Sequence, residues 1–281
     1  MASASVREAL GAAVDALAAA GVETPRLDAE LLLGEAMECD RAAFASEPGA
    51  GVSPAAARTF GELVRRRLRR EPVAYILGRK GFRDIELAVD RRVLVPRPET
   101  ELLVELALER RPGTVLDVGT GSGAIALAVA DELPDCAVTA TDTSPGALAV
   151  ARANAERLGL ADRIRFESGS VPADGAFDLV LANLPYVAER DWPSLQPEVT
   201  RWEPREALLA GPDGLDAYRA LLADRGRHFS RYAEEMTTTV ALEVGQGQAG
   251  AVAALLREAG FARTEVRRDL AGIERVVLGE R

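Results

Sequence analysis

The chain of 281 residues contains one histidine, His228, and two cysteines, Cys39 and Cys136. One histidine and two distant cysteines do not assemble a His/Cys zinc site, and a Ser-His-Asp triad would rest on His228 alone. The chemistry of this protein therefore asks little of imidazole or metal. Each cysteine sits in an apolar periodic segment, which favours a buried reduced thiol over a disulfide or a nucleophile. There is no run of eighteen apolar residues. The first ten residues, MASASVREAL, begin an amphipathic pattern in place of a basic, apolar export signal, so the sequence reads as a soluble cytoplasmic protein. Basic charge is also in deficit: the formal net charge is −10 and the pI is near 4.9. Proteins that grip nucleic acid through its phosphates usually carry the opposite balance. The local exception is Arg65, Arg66, Arg67, Arg69 and Arg70, at the end of the helix that opens near Ser53-Pro54. These read either as a solvated face with cations at a helix C-terminus or as a docking patch for an acidic partner.

The chain is organised around Val115 to Ala130, VLDVGTGSGAIALAVA. β-Branched and aliphatic residues run into Asp117, glycines follow at Gly119, Gly121 and Gly123, and a small-residue helix begins: a strand, a tight turn and a helix start. Glycine there permits φ > 0 and close approach of a ligand, and the helix N-terminus is expected to leave unpaired N–H groups facing the same space. The spacing lacks the G-K-[ST] ending of a phosphate-gripping loop, which disfavours ATP or GTP hydrolysis. The next strand, Ala137 to Thr141, ends in Asp142, where an acidic side chain can accept from two ribose hydroxyls. Ser144 with Pro145 is the better helix cap, leaving Asp142 for the ligand.

Residues 1 to about 70 read as helices: Val6, Leu10, Ala13, Val14 and Leu17 keep a 3.6-residue period, Thr24-Pro25 caps a second helix and Ser53-Pro54 opens a third. From Glu71-Pro72 turn residues mix with alternating runs such as Ile85, Leu87 and Val89, which suits a hairpin linker. From Glu99 helices and strands alternate as βα units of a parallel sheet, and two consecutive late β runs, Thr264 to Arg268 and Glu274 to Leu278, imply an antiparallel hairpin at one edge. The predicted divisions are 1–72, a helical docking domain; 73–97, a hairpin linker; and 98–281, the catalytic domain.

The strand Phe177 to Ala182 leads into Asn183-Leu184-Pro185-Tyr186, which should face the same crevice as the glycine turn beyond the strand ends. Asn183 Oδ1 and the Leu184 carbonyl can accept both hydrogens of an NH₂ group, turning its lone pair toward a cofactor, and Tyr186 can flank a planar group. An amide or an exocyclic amine fits such a set.

The segments EPVAYILG, VLVPRPETELLVE, VLDVGTGSGAIALA, LANLPYV, LQPEVTRWEPREAL, GPDGLDAYRALL, LEVGQGQ and DLAGIERVVLG together resemble the HemK/PrmC family of N5-glutamine methyltransferases acting on peptide-chain release factors. The resemblance covers nearly the whole chain. It implies a class I, Rossmann-like S-adenosylmethionine methyltransferase fold with antiparallel edge strands, behind a small helical domain and a hairpin linker. It also implies that Gly119, Thr120, Gly121, Ser122 and Gly123 line the cofactor, with Asp117 supporting the turn, Asp142 on the ribose, Ser170 and Val171 beside the adenine, and Asn183 adjoining it. Asn183, Leu184, Pro185 and Tyr186 would hold the acceptor amide, with Asn183, Pro185 and Tyr186 carrying the reaction. The Pro96 to Thr100 loop would cover the pocket, with Arg97 toward the substrate, and no metal is implied.

Two positions depart from the family. Leu184 stands where N-P-P-Y has its first proline, and Arg231 to Glu235 replace an LKPGG-like turn. Leu184 keeps the carbonyl acceptor but loses the ring that stiffens the loop. The N-[LI]-P-[YF] form also resembles ribosomal RNA adenine N6-methyltransferases, so adenine methylation of nucleic acid is one alternative. A small-molecule or specialised peptide acceptor, and a module that binds the cofactor without turnover, are others. The resemblance implies in-line transfer of a sulfonium methyl to a glutamine amide nitrogen in a release factor, with no membrane partner and no direct nucleic-acid contact.

Overall fold

The computed structural model describes residues 4–172, 176–228 and 238–281. The Arg231 to Glu235 departure therefore lies outside the described residues. The chain divides into two compact units, Met1–Arg79 with Gln196–Trp202, and Lys80–Leu195 with Glu203–Arg281.

The first unit is helical: α1 Val6–Ala19, α2 Pro25–Met37, α3 Ala42–Ser46, α4 Pro54–Leu68 and α5 Val73–Leu77. The period read in α1 holds, since Val6, Leu10, Ala13 and Leu17 are buried in one core with Leu32, Leu33, Phe44 and Phe60. Ser5 caps α1 in a capping box with Glu8, and Ser53 caps α4. Thr24 makes no cap bond to the α2 backbone; its hydroxyl donates to Asp28 Oδ1 at 2.9 Å, a charged acceptor one turn along the helix.

The arginines closing α4 have mostly inward roles. Arg67 is buried, its Nε 2.6 Å from Asp28 Oδ2 and its Nη2 2.7 Å from Glu198 Oε1, and Arg70 holds the other edge of Glu198 at 2.5 Å. Arg66 pairs with Glu71 at 2.6 Å. Arg65 and Arg69 are exposed. The cluster is thus largely a clasp, and Glu198 is the reason that Gln196–Trp202, including the helix Pro197–Trp202, packs with this unit.

The second unit opens with the hairpin β1 Arg79–Phe82 and β2 Ile85–Ala88, whose alternating burial matches the reading of Ile85 and Leu87. Then come α6 Glu101–Arg110, β3 Thr114–Val118, α7 Ala124–Glu132, β4 Ala137–Asp142, α8 Pro145–Leu158, β5 Ile164–Ser168 and β6 Leu179–Ala182. With the helix Pro197–Trp202 counted as α9, the chain continues through α10 Asp216–His228, β7 Thr239–Glu243, α11 Ala249–Glu258, β8 Arg263–Arg268 and β9 Glu274–Glu280. The seven-stranded sheet has the order β5-β4-β3-β6-β7-β9-β8, with β9 antiparallel to both of its neighbours. Every residue of β6 and β7 is buried, as befits strands covered on both faces, whereas β8 at the edge alternates charge with half-exposed residues. One core joins Leu116, Val180, Val240, Leu242, Tyr218 and Leu256. Among the described residues, no helix is long and apolar enough to cross a membrane.

Candidate active site

The carboxyl ends of β3, β4, β5 and β6 meet at one cleft. It is lined by Gly119 to Ser122, Asp142 to Ser144, Gly169, Ser170 and Asn183 to Pro185, with Arg92 to Leu94, Pro96, Arg97 and Thr100 on one side and Pro204, Glu206 and Ala207 on another. The two motifs are thereby brought together, at the place where an α/β sheet binds its ligand.

Asp117 is fully buried beneath the glycine turn and does not line the cleft. Its Oδ2 accepts from Thr120 Oγ1 at 2.6 Å and from the Ala126 N–H at 3.1 Å, which ties the turn to the first turn of α7. Burial pushes its carboxyl up to about 7 against those two bonds, and among the described residues its Oδ1 has no partner. Asp117 shapes the turn from below.

The expectation of unpaired N–H groups holds at the helix start, where Ser122, Ala124 and Ile125 line the cleft and their N–H groups make no bond among the described residues, but not in the turn before it. The Gly119 and Thr120 N–H groups both donate to the Thr141 carbonyl, Gly123 to Thr120, and Gly121 to Asp142 Oδ2 at 2.9 Å. Adjacent strand ends satisfy these amides because β3 and β4 pair in register up to Val118 and Thr141. Gly119 has φ +74, and a Cβ there would lie 3.2 Å from Leu184 Cδ2, so glycine lets the two motifs close on each other. Gly123 packs inward, where a Cβ would lie 2.7 Å from Leu127 Cδ1, and it does not line the cleft.

Asp142 lines the cleft but is not free of protein partners: besides the Gly121 bond, its Oδ1 accepts from the Ser144 N–H at 2.8 Å. Ser144 is the cap of α8, as its spacing indicated, and its Oγ accepts from the Ala147 N–H at 3.2 Å. A carboxylate has about four acceptor positions, so two remain for a ligand diol, and the backbone bonds hold the oxygens in place. Thr141 Oγ1 donates to the Ser170 carbonyl at 2.6 Å and fixes the turn after β5. Ser170 and Gly169 face the cleft, whereas Val171 packs into the core beneath it. The lining thus presents a close-approach glycine turn and an anchored acidic acceptor at neighbouring strand ends. A carboxylate there accepts from the hydroxyls of a ribose, as in S-adenosylmethionine, and would repel a phosphate.

Asn183 Nδ2 donates to Thr100 Oγ1 at 2.9 Å, and no bond to its Oδ1 is formed among the described residues. Leu184 and Pro185 line the cleft. Tyr186 is half-buried behind them and packs on the core, its carbonyl accepting from Gln248 Nε2 at 2.9 Å; burial, reinforced by Glu243, pushes its phenol up to about 12. Arg97 lines the cleft, yet its Nη2 lies 2.7 and 2.8 Å from the two oxygens of buried Glu203. Burial holds Glu203 above the usual carboxylate range, with Arg97 opposing it.

Several groups that build the site were not legible in the sequence. Asn154 of α8 is fully buried and donates to the Ser122 carbonyl at 2.9 Å while exchanging two bonds with the Ala88 backbone, pinning β2 to the glycine turn. Thr100, Glu203 and Glu243 are likewise cross-chain partners that carry no local signal. Among the described residues, no group of three or more His, Cys, Asp or Glu side chains is placed to hold a metal ion.

Comparison with known proteins agrees with this geometry. A family model for a methyltransferase domain matches residues 115–202, the stretch from β3 to the end of α9. Similar solved folds include the hMettl16 catalytic domain in complex with the MAT2A 3′UTR hairpin 1, with TM-score 0.56 and 15% identity over 78% of this chain and 80% of that one. Another is a methyltransferase from Pyrococcus furiosus, with TM-score 0.50 and 16% identity over 77% of this chain and 98% of that one. The protein is a class I S-adenosylmethionine-dependent methyltransferase.

The finer assignment comes from sequence relatives. A model of the PrmC N-terminal domain matches residues 8–78. A release factor glutamine methyltransferase of Moorella thermoacetica is 43% identical over 99% of both chains, and one of Rhodospirillum rubrum is 42% identical over 94% of this chain and 82% of its own. The chain belongs to the release factor glutamine methyltransferase family.

Proposed function

We propose that this enzyme transfers a methyl group from S-adenosylmethionine to the side-chain amide nitrogen, N5, of a glutamine in a peptide-chain release factor. The observation that carries the reading is Asn183: its NH₂ is anchored on Thr100, so its Oδ1 is the end left to accept an N–H from a substrate amide. The Leu184 carbonyl is the second acceptor. Two acceptors on one NH₂ hold the acceptor nitrogen's lone pair toward the cofactor side of the cleft.

When bound, the cofactor supplies an electrophilic sulfonium methyl. Gly119 to Ser122 would border its amino-acid and ribose portions, Asp142 would accept from the ribose hydroxyls, and Gly169 and Ser170 would flank the base. An amide nitrogen is a poor nucleophile because its lone pair is delocalised. Asn183 and Leu184 therefore act by orientation, which is worth on the order of 7–11 kcal/mol in the best intramolecular models. Pro185 stiffens the loop that carries them, and Tyr186 supports it from behind. Arg97, neutralised by Glu203, serves as a wall of the substrate side more than as a free charge. The first unit is the docking element for the folded partner, with Arg58 and Arg65 on α4 and Arg69 just after it as exposed cations. The formal net charge of −10 weighs against a nucleic-acid partner, and the proposed place of action is the cytoplasm, where release factors work.

Incubation with labelled cofactor and either a folded release factor or ribosomal RNA tests the reading. Label in the release factor is expected; label in RNA alone would replace the glutamine with an adenine acceptor.

A further inference from the structure

The ends of β6 and β7 place Asn183 beside an acidic residue that the reaction has not so far used. Parallel pairing runs to Ala182 with Leu242, so the next residues along the two strands, Asn183 and Glu243, are neighbours across the sheet. Neighbouring strands lie about 4.8 Å apart, and side chains at matched positions project to the same face. Thr100, from the turn that opens α6, completes the group. Its Oγ1 accepts from Asn183 Nδ2 at 2.9 Å, and the same hydroxyl favours the ionised form of the Glu243 carboxyl.

Glu243 is buried, and among the described residues its Oε2 has no hydrogen-bond partner. A buried carboxylate with an unmatched oxygen is costly as a purely structural element, which calls for a role. The hydrogen-bond arithmetic supplies one. An ionised carboxylate only accepts, so the Thr100 proton must point to Glu243, the Thr100 oxygen must accept from Asn183, and Asn183 Oδ1 is left for the substrate. A protonated carboxyl can donate instead. The Thr100 proton then turns to Asn183, whose Oδ1 must rotate to meet it, and Asn183 presents its own NH₂ to the substrate NH₂, donor against donor.

We propose that Glu243, acting through the Thr100 hydroxyl, is the positioning residue that fixes which end of the Asn183 amide meets the acceptor nitrogen. The proposal rests on the reading of Asn183 as the partner of the acceptor amide. The groups facing Glu243 come from several elements. Glu99, before α6, opposes its ionisation, and Arg275 of β9 and Arg97 favour it. Tyr186 feels its charge, and Tyr218 of α10 donates its hydroxyl to the Glu243 backbone carbonyl at 2.7 Å. Both phenols are raised by burial and stay neutral donors in any ordinary buffer. Arg97 is shared with Glu203, and Arg275 with Asp269 and Glu99. Burial outweighs the two cations and pushes the Glu243 carboxyl up to about 7, so both states of the relay are reachable in an assay.

The experiment uses the full chain and two readouts over pH 5.5 to 9, for wild type, Glu243→Gln, Thr100→Ser and Thr100→Val. The first is the kcat for methylation of a folded release factor, with cofactor affinity measured alongside by calorimetry. The second is the 15N shift of the Asn183 side-chain NH₂, assigned by its loss in Asn183→Ala, which needs no substrate. Wild type should show kcat and the NH₂ shift rising through a common midpoint near 7. Glu243→Gln should flatten both curves. Thr100→Val should lower kcat about tenfold or more with little change in cofactor affinity, and Thr100→Ser should restore it. A midpoint that persists in Glu243→Gln, an NH₂ shift that does not titrate in wild type, or a Thr100→Val enzyme with wild-type kcat would overturn the proposal. Absence of release-factor methylation by wild type would defeat the functional reading instead, and the NH₂ titration would still decide whether the relay operates.

Discussion

Replacing Arg67 with methionine should destabilise the helical unit by about 3 kcal/mol, the lower end of the 3–5 kcal/mol expected when one partner is removed from a buried ion pair. The magnitude follows from what each carboxylate keeps. Arg67 is buried between Asp28 at 2.6 Å and Glu198 at 2.7 Å, and its Nη1 also donates to the Glu71 carbonyl at 3.2 Å. After the change, Asp28 retains the Thr24 hydroxyl and Glu198 retains Arg70, so neither is left bare. Methionine fills most of the volume of the arginine stem, which limits the loss to charge and hydrogen bonding. Urea unfolding followed by Trp202 fluorescence, in a Trp192→Phe background, reports on the segment that Glu198 anchors. Arg65→Met, at an exposed position of the same helix, is the control and should stay within about 0.5 kcal/mol. Equal midpoints for Arg67→Met and Arg65→Met would refute the clasp and return the cluster to a solvated or docking face.

Asp142→Ala should weaken cofactor binding by at least about 1.5–3 kcal/mol by calorimetry, since the ribose acceptor and the anchor of the Gly121 and Ser144 N–H groups are lost together; unchanged affinity in a folded variant would remove the assignment. Leu184→Pro keeps the carbonyl acceptor and breaks no recorded backbone bond, so release-factor methylation should be retained or raised; loss of activity with normal cofactor binding would show that the Leu184 side chain over Gly119 is needed. Glu243 and Asp117 are both held up to about 7, so the native state binds more protons than the unfolded chain between the ordinary carboxylate range and 7, and stability should fall as pH rises through that window. For Glu243 alone the loss is up to about 3 kcal/mol, and Glu243→Gln should flatten that slope in urea titrations at pH 5 and pH 8; parallel slopes would contradict it. Cys136, whose thiol burial pushes up to about 11, should resist alkylation at pH 8 until urea is added.

The sheet was legible because its strands carry their burial in their composition. Val115 to Val118, Leu179 to Ala182 and Thr239 to Glu243 are short aliphatic runs bounded by turns, α1 announces itself by its period, and α8 by Ser144 with Pro145. The convergence of DVGTGSG and NLPY also followed, because strand ends of a parallel sheet share one edge. What could not be read were bonds between residues far apart in the chain. Asp142 was taken as unencumbered because nothing local shows that Gly121 and Ser144 donate to it. The arginines of α4 were read by helix position, while their partner Glu198 lies well over a hundred residues away. Thr100 to Asn183, Arg97 to Glu203 and Asn154 to Ser122 belong to the same class. Tyr186 and Val171 stand next to motif residues in sequence, but strand and turn geometry direct them into the core.

The central claim is that a glutamine amide nitrogen receives the methyl group. Fragmentation mass spectrometry of a folded release factor after incubation with the enzyme and S-adenosylmethionine addresses it most directly. A single added methyl on the side-chain nitrogen of one loop glutamine, absent when that glutamine is alanine and absent with Asn183→Ala enzyme, is the predicted result. A methyl on any other residue, or labelling that survives the glutamine-to-alanine change, would contradict it.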